Sequence, residues 1–471
     1  MKCAIRGCAT ASALILFASC SVWCQKVTRD QQLAGTESIG DAVRAEDKAT
    51  ASKLRRESTG AVAQPVTGIP PIHIFYMHGI NQVGAGDSFL LRKGICKYLG
   101  ECTVTSLGRV YADGPFAVDS APPTLAYMGE PIWKSQDEWS ASAPFIDRYR
   151  IEGNGHTPIL LDEFNWWPLA YPLKCKWLIA HDSRLTGPSK AQLDICATPT
   201  TPDTAHPKRY LSYQWINTSE ASGFNHISRH AMILNRSLKN GLMDWGFGDA
   251  VMALGPMEEV LSAGIRELLV KSLQSSGADL HHLEAEEVEV EVFFVAHSLG
   301  SYLSLVALNS DLLGPQDPEL SRFQITPEQR EAADYFSAHT AGFYFLANQI
   351  ALLQLARVTV TTEGDAHPCP TTSPGTPAAP SIAHWRCKRE LYLKERASVA
   401  PMPQIVAWSD PDDLLSWEVP EIEGVHVVNI PVRNSGFKIP PFIESPTSAH
   451  ANYAKNREVI RLILKPSAKQ Q

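Results

Sequence analysis

The chain has 471 residues and a hydrophobic fraction of 44%, enough to bury a large core in one decorated domain or two. Its formal charge of −8 and pI near 6.0 set it apart from nucleic-acid binders, and no basic run of the kind that tracks phosphates interrupts it.

At the N-terminus, Lys2 and Arg6 precede an apolar segment from Ala9 to Ala18 that is too short to span a bilayer. Small residues follow, so residues 1–20 read as an export signal. Phe17-Ala18-Ser19-Cys20 resembles a bacterial lipobox, with Phe17 where Leu is usual. The pattern leaves two outcomes open: a lipid on Cys20 that tethers the protein to a membrane face, or cleavage and release into the periplasm or medium. Residues 21–67 are polar and lack sustained apolar periodicity, which predicts a disordered tether ahead of a folded domain over 68–465. No other segment is long and apolar enough to be transmembrane.

Of the ten cysteines, Cys3, Cys8, Cys20 and Cys24 fall in or beside the leader. The remaining Cys96, Cys102, Cys175, Cys196, Cys369 and Cys387 form three sequence-local pairs. In an exported chain an even number suggests disulfides, and pairing each with its neighbour is the simplest connectivity. A zinc site would favour C-x-x-C spacing, which these six lack.

In chain order, Ile72 to Met77 reads as a buried strand that ends at His78-Gly79-Ile80-Asn81, and Ser88 to Leu99 reads as a helix. The stretch 105–245 is longer than a minimal α/β core requires and is expected to contain inserted lid- or cap-like structure. Thr157 to Leu161 reads there as a strand running into Glu163-Phe164-Asn165-Trp166-Trp167. Tyr210, Tyr213 and Trp215 add aromatic density suited to an apolar substrate or to ordinary packing. Asp249 to Leu254 and Met257 to Leu273 have helical spacing.

The apolar run Val292-Phe293-Phe294-Val295 then stops at Ala296-His297-Ser298-Leu299-Gly300 and resumes as Tyr302, Leu303, Leu305, Val306 and Leu308 at helical spacing. Ser298 is therefore expected at a tight strand-to-helix turn, with small residues on either side where larger ones would collide. Further strands are expected at 342–346, 404–408 and 425–430, an excursion at 361–381, and an amphipathic helix at the C-terminus. Asp410, Asp412 and Asp413 lie in the turn after the 404–408 strand, and His450 in a loop before the last helix.

A Ser hydroxyl needs an imidazole to take its proton and a carboxylate to hold that imidazole in one tautomer. The chain order Ser298, acidic turn, His450, with each member at a strand end, resembles the α/β-hydrolase superfamily. His78-Gly79-Ile80 and Ala296-His297-Ser298-Leu299-Gly300 resemble the corresponding motifs of bacterial lipases and esterases. The resemblance covers roughly residues 70–100 and 250–465.

It implies an α/β-hydrolase fold: a mostly parallel sheet flanked by helices, with the large insertion between the oxyanion loop and the nucleophile strand. It also implies Ser298 as nucleophile, His450 as base and an acid in the turn of Asp410, Asp412 and Asp413; Asp413 is preferred because it opens a helix start at Leu414-Leu415 that would fix its carboxylate, with Asp410 second. The amides of Ile80 and Leu299 become the oxyanion donors. His297 reads as a packing residue and His426 as a structural one.

The expected activity is hydrolysis of a small-molecule or lipid-like ester, with no metal or organic cofactor required. The same residues would serve a thioesterase, amidase or acyltransferase. A reading from another class is a catalytically silent surface lipoprotein that uses the fold as a binding module.

Overall fold

The computed structural model describes residues 72–80, 86–127, 129–178, 246–275, 291–309, 322–355, 382–395, 402–434, 438–439, 443–444 and 446–464. The export signal, Cys20, the tether, the 361–381 excursion and Tyr210, Tyr213 and Trp215 lie outside them. The chain divides into two compact units, Met1–Ala61 with Tyr171–Gly248, and Val62–Ala170 with Asp249–Gln471. What is described of the first unit is chiefly the end of a short helix, Trp167–Pro172, and a π-helical turn, Leu173–Leu178.

The second unit is built on strands with apolar residues on both faces, the pattern a sheet covered by helices on two sides demands. In chain order they are β1 (Ile72–Met77), β2 (Cys102–Tyr111), β3 (Ala126–Tyr127), β4 (Glu130–Pro131), β5 (Phe145–Gly153) and β6 (Ile159–Asn165). Then come β7 (Glu291–His297), β8 (Thr340–Leu346), β9 (Gln404–Ser409), β10 (Val427–Pro431), β11 (Lys438–Ile439) and β12 (Ile443–Glu444).

Eight of these form one sheet in the order β10-β9-β8-β7-β1-β6-β5-β2. From β10 to β6 every pairing is parallel, and β5 and β2 close that end antiparallel. β3 with β4 and β11 with β12 are separate two-stranded ribbons.

Because side chains alternate along a strand, β1 sends Ile74 and Tyr76 to one face and His73 and Phe75 to the other. On the first face Phe293, Val295, Tyr344, Leu346, Val406 and Trp408 join a core with Leu91, Ile95, Val459 and Ile460. These last come from helices Phe89–Leu99 and Arg457–Leu464.

On the second face Phe75 stacks on Phe294 at 5.2 Å and meets Phe336 edge-on at 4.7 Å, while Phe343 meets Trp385 at 4.9 Å. That face is covered by helices Met257–Ser275, Leu299–Leu308, Pro327–His339 and Ile382–Glu395. Each fully buried side chain of this kind contributes about 1.5–3 kcal/mol.

Several expectations need correcting. β2, β5 and β6 belong to the central sheet, although they fall largely within the stretch expected to hold inserted structure; the separate unit resumes only at Tyr171. Trp166 and Trp167 are buried packing residues. Helices Pro327–His339 and Ile382–Glu395 were not anticipated. Thr326 caps the first by accepting from the Gln329 amide at 3.2 Å, with Pro327 next to the cap, a start signal the sequence did carry.

Leu414 and Leu415 lie in a turn and open no helix, because Asp410 and Asp413 spend their carboxylates on local amides. His450 sits on a short helix, Pro446–Ala451, instead of a loop. His426 precedes β10 by one residue.

The expected Cys96–Cys102 disulfide is present, joining the end of helix Phe89–Leu99 to the start of β2 with Cα atoms 5.1 Å apart. Cys175 and Cys387 are also disulfide-bonded; Cys196 and Cys369 lie outside the described residues. Among the described residues no helix is long and apolar enough to cross a membrane.

Candidate functional site

Strands β7, β8 and β9 end side by side, and the chain leaves each through a tight connection. Ser298 follows β7 with φ 54° and ψ −123°, a region L-residues avoid and hold at a cost of order 1–3 kcal/mol. Its backbone is fully used: the amide donates to the Leu346 carbonyl at 2.8 Å, and its carbonyl accepts from the Ser301 amide and hydroxyl at 3.1 and 2.6 Å. What is left over is Oγ, which is buried and has no partner among the described residues.

Two glycines let the backbone come this close. A Cβ on Gly300 would stand 2.5 Å from the Met77 carbonyl oxygen and 2.6 Å from that of His78. A Cβ on Gly79 would stand 2.7 Å from Ser298 Cβ. The turn after β7 therefore packs backbone-to-backbone against the loop after β1, which brings Ile80 to the residue following the contact. Leu299 is the first residue of helix Leu299–Leu308, where amides have no intrahelical acceptor. Trp166 steadies the β1 loop, donating its indole N–H to the His78 carbonyl at 3.2 Å and stacking on the His78 ring at 4.8 Å.

His450, on helix Pro446–Ala451, and Asp413, in the turn after β9, meet across a long stretch of chain. His450 Nδ1 is 2.9 and 3.0 Å from the two carboxylate oxygens of Asp413, a residue buried to 6% exposure. Asp413 Oδ1 also accepts from the Leu415 amide at 2.9 Å, and Oδ2 from the Tyr453 hydroxyl at 3.1 Å. With Nδ1 donating to Asp413, Nε2 of a neutral His450 carries the lone pair, and it too is buried without a partner among the described residues. Ser298 Oγ and His450 Nε2 are thus two orphaned groups with no hydrogen bond between them.

Asp410, the second choice for the acid, does other work. Its Oδ1 accepts from the Asp412 amide at 3.0 Å and its Oδ2 from the Asn434 amide at 2.6 Å, which shapes the turn and ties it to the chain after β10. Tyr453 completes the frame, its oxygen accepting from the Asp410 amide at 2.6 Å while its proton goes to Asp413. Burial first, and then the Asp413 charge, push the Tyr453 hydroxyl well up, so it stays a donor. From its spacing alone Tyr453 has only a place on an amphipathic face; nothing there marks the bond to Asp413.

His297 was also read as packing, yet its Nε2 lies 2.8 Å from the His450 carbonyl oxygen. Asp413 also lines a cavity of about 490 Å³, together with Asp410, Ser416, Trp417, Glu418 and Asn429 among others. Neither Ser298 nor His450 lines it. Among the described residues no group of three His, Cys, Asp or Glu is placed to hold a metal ion.

Comparison of the chain with protein-family models, with curated proteins and with solved structures finds no match in any of the three. The functional reading therefore stands on the residues themselves.

Proposed function

We propose that this chain is an exported serine hydrolase of carboxylic esters, working through Ser298, His450 and Asp413 on an α/β-hydrolase fold. The observation that carries the reading is Ser298: a strained serine with its backbone bonds complete and only its hydroxyl unpartnered, whose chain neighbour His297 reaches the carbonyl of His450, a histidine oriented by a buried carboxylate. Ala347 shares the positive φ, at 52°, without a reactive side chain, so it is the strain together with the unpartnered hydroxyl that supports the reading.

In this reading His450 Nε2 takes the Ser298 proton as Oγ attacks the ester carbonyl, and Asp413 holds the imidazole in the tautomer that can accept it. The amides of Leu299 and Ile80 receive the oxyanion, each contributing about 3–4 kcal/mol to the transition state. His450 then protonates the departing alcohol, and a water activated by the same nitrogen releases the acid. The lipobox-like Cys20 supports export, with a lipid anchor as one outcome and release as the other.

One observation favours a second reading, a silent binding module: no hydrogen bond joins Ser298 to His450. Turnover of p-nitrophenyl esters of short and long acyl chains by wild type and Ser298→Ala separates the two. Turnover that the substitution abolishes is expected, and the chain length preferred says whether the substrate is lipid-like. A folded wild type that turns over none of the esters leaves the binding module as the better account.

A further inference from the structure

Ser298 and His450 come from elements far apart in sequence, so their mutual reach depends on what fastens helix Pro446–Ala451 to the turn after β7. The last carbonyls of a helix have no intrahelical donor and look for one outside. Two of them are met here by side chains from other elements. Asn434 Nδ2 donates to the Ala449 carbonyl at 3.2 Å, and His297 Nε2 donates to the His450 carbonyl at 2.8 Å.

His297 is the last residue of β7 and the immediate neighbour of the nucleophile. Its ring centroid lies 4.9 Å from that of His450 and 6.3 Å from that of Tyr453. Resting on the serine-hydrolase reading above, we propose that His297 is a positioning residue: its Nε2–H fastens the backbone of the base to the strand that carries the nucleophile. The distance over which the proton must pass from Ser298 to His450 is set through that bond.

The surroundings suit a permanent donor. Burial, followed by the neighbouring His450, pushes the His297 imidazole down to about 4, against the opposing pulls of its bond to the His450 carbonyl and of the Asp413 charge. The ring is therefore neutral at working pH. With Nε2 committed to the carbonyl, Nδ1 holds the lone pair and faces the close approach of Gly79, whose Cβ would lie 3.1 Å from it. The titratable groups around His297 are His450, Asp413 and Tyr453, all members of the site's own frame.

No other group donates to the His450 carbonyl among the described contacts, so losing the bond frees the base's backbone to shift. A displacement near 1 Å in such a constellation costs on the order of a hundredfold in rate, while ground-state binding is little touched.

The test compares full-length wild type, His297→Phe, His297→Gln and Ser298→Ala in p-nitrophenyl butyrate turnover, with thermal unfolding followed in parallel. Glutamine places an N–H near the position of Nε2, and phenylalanine keeps the bulk without the donor. The expected result is a kcat for His297→Phe lower by roughly 10- to 100-fold with KM within about twofold, and recovery of most of it by His297→Gln.

Should the Phe variant not fold, His297→Asn replaces it, because its shorter amide falls short of the carbonyl; a slow Asn variant beside a fast Gln variant is then expected. Wild-type kcat in the donorless variant, a Gln variant as slow as it, or a loss confined to KM would each overturn the proposal. A wild type no more active than Ser298→Ala overturns the serine-hydrolase reading itself and this inference with it.

Discussion

Two groupings of serine, histidine and aspartate among the described residues differ in a way that says more than either does alone. Under the second face of the sheet, Asp162 accepts from His73 at 3.0 Å, from the Arg148 guanidinium twice at 2.7 Å and from the Ser272 hydroxyl at 2.6 Å. All of these groups are buried, and the hydroxyl and the carboxylate are spent on one another. Burial alone would raise Asp162, but the charges of Arg148 and then His73 hold it well below the usual carboxylate range.

At the carboxyl ends of β7 to β9, the Asp413 carboxylate is likewise saturated, but the chain of bonds stops at His450 Nε2 and does not reach Ser298 Oγ. A closed network of this kind stabilises a fold; an open one, stopping at His450 Nε2 with the Ser298 hydroxyl left unpartnered, is what the proposed hydrolysis requires. Residue types alone do not mark a site.

The sharpest way to separate the two is to remove each serine. Ser298→Ala is expected to lower ester turnover by at least about a thousandfold at wild-type stability. Ser272→Ala should leave turnover per folded molecule unchanged and cost roughly 1.5–3 kcal/mol in denaturant unfolding, the worth of a buried bond to a charged acceptor. Comparable activity losses in both would erase the distinction.

Arg148→Met attacks the closed network at its cation. It should destabilise by roughly 3–5 kcal/mol, because Asp162 is left buried without its charged partner, and a urea midpoint unchanged from wild type would contradict that.

Tyr453→Phe probes the frame behind the open network. It removes one donor to Asp413 and the acceptor of the Asp410 amide, so a few-fold drop in kcat and roughly 0.5–1.5 kcal/mol of stability are expected. Steady-state kinetics beside thermal unfolding read both, and an unchanged kcat would leave Tyr453 a packing residue.

The smallest effect is a slope. Glu163, on β6, receives the amides of Gly86 and Asp87 at 2.7 and 2.9 Å and the Ser88 hydroxyl, which anchors the start of helix Phe89–Leu99. Burial first, then Asp147, push it from 4.5 up to about 7 despite the opposing Ser88 bond. Between those pH values the folded protein keeps a proton that the unfolded chain has released. Its stabilising contribution is thus full below about pH 4.5 and is lost as pH rises to about 7. Glu163→Gln should flatten that fall, so the drop in melting temperature from about pH 5 to about pH 8 should be smaller than in wild type. An identical drop would show that Glu163 does not titrate in this window.

What the sequence made legible follows from which physics is local. The apolar runs of β1, β7, β8 and β9 announce buried strands, and small residues around Ser298 announce a turn, because those constraints act between neighbours in the chain. β5 was missed because its buried Asp147 and Arg148 look like solvent-facing charges until Arg109 and Asp162 are set against them. β2 is an edge strand with mostly exposed positions, so it lacks an apolar signal altogether. The choice of Asp413 over Asp410 rested on a helix start that is not there. What separates them is which carboxylate meets His450, a contact across 37 residues that no local pattern encodes. The roles of Tyr453 and His297 are of the same kind.

The most direct test of the open network is to treat the full-length protein with a fluorophosphonate and locate the adduct by peptide mass spectrometry. A single adduct on the peptide carrying Ser298, absent in His450→Ala and absent from Ser272 in every sample, is the expected result. A folded wild type that takes no adduct, or takes it on another residue, would contradict the account.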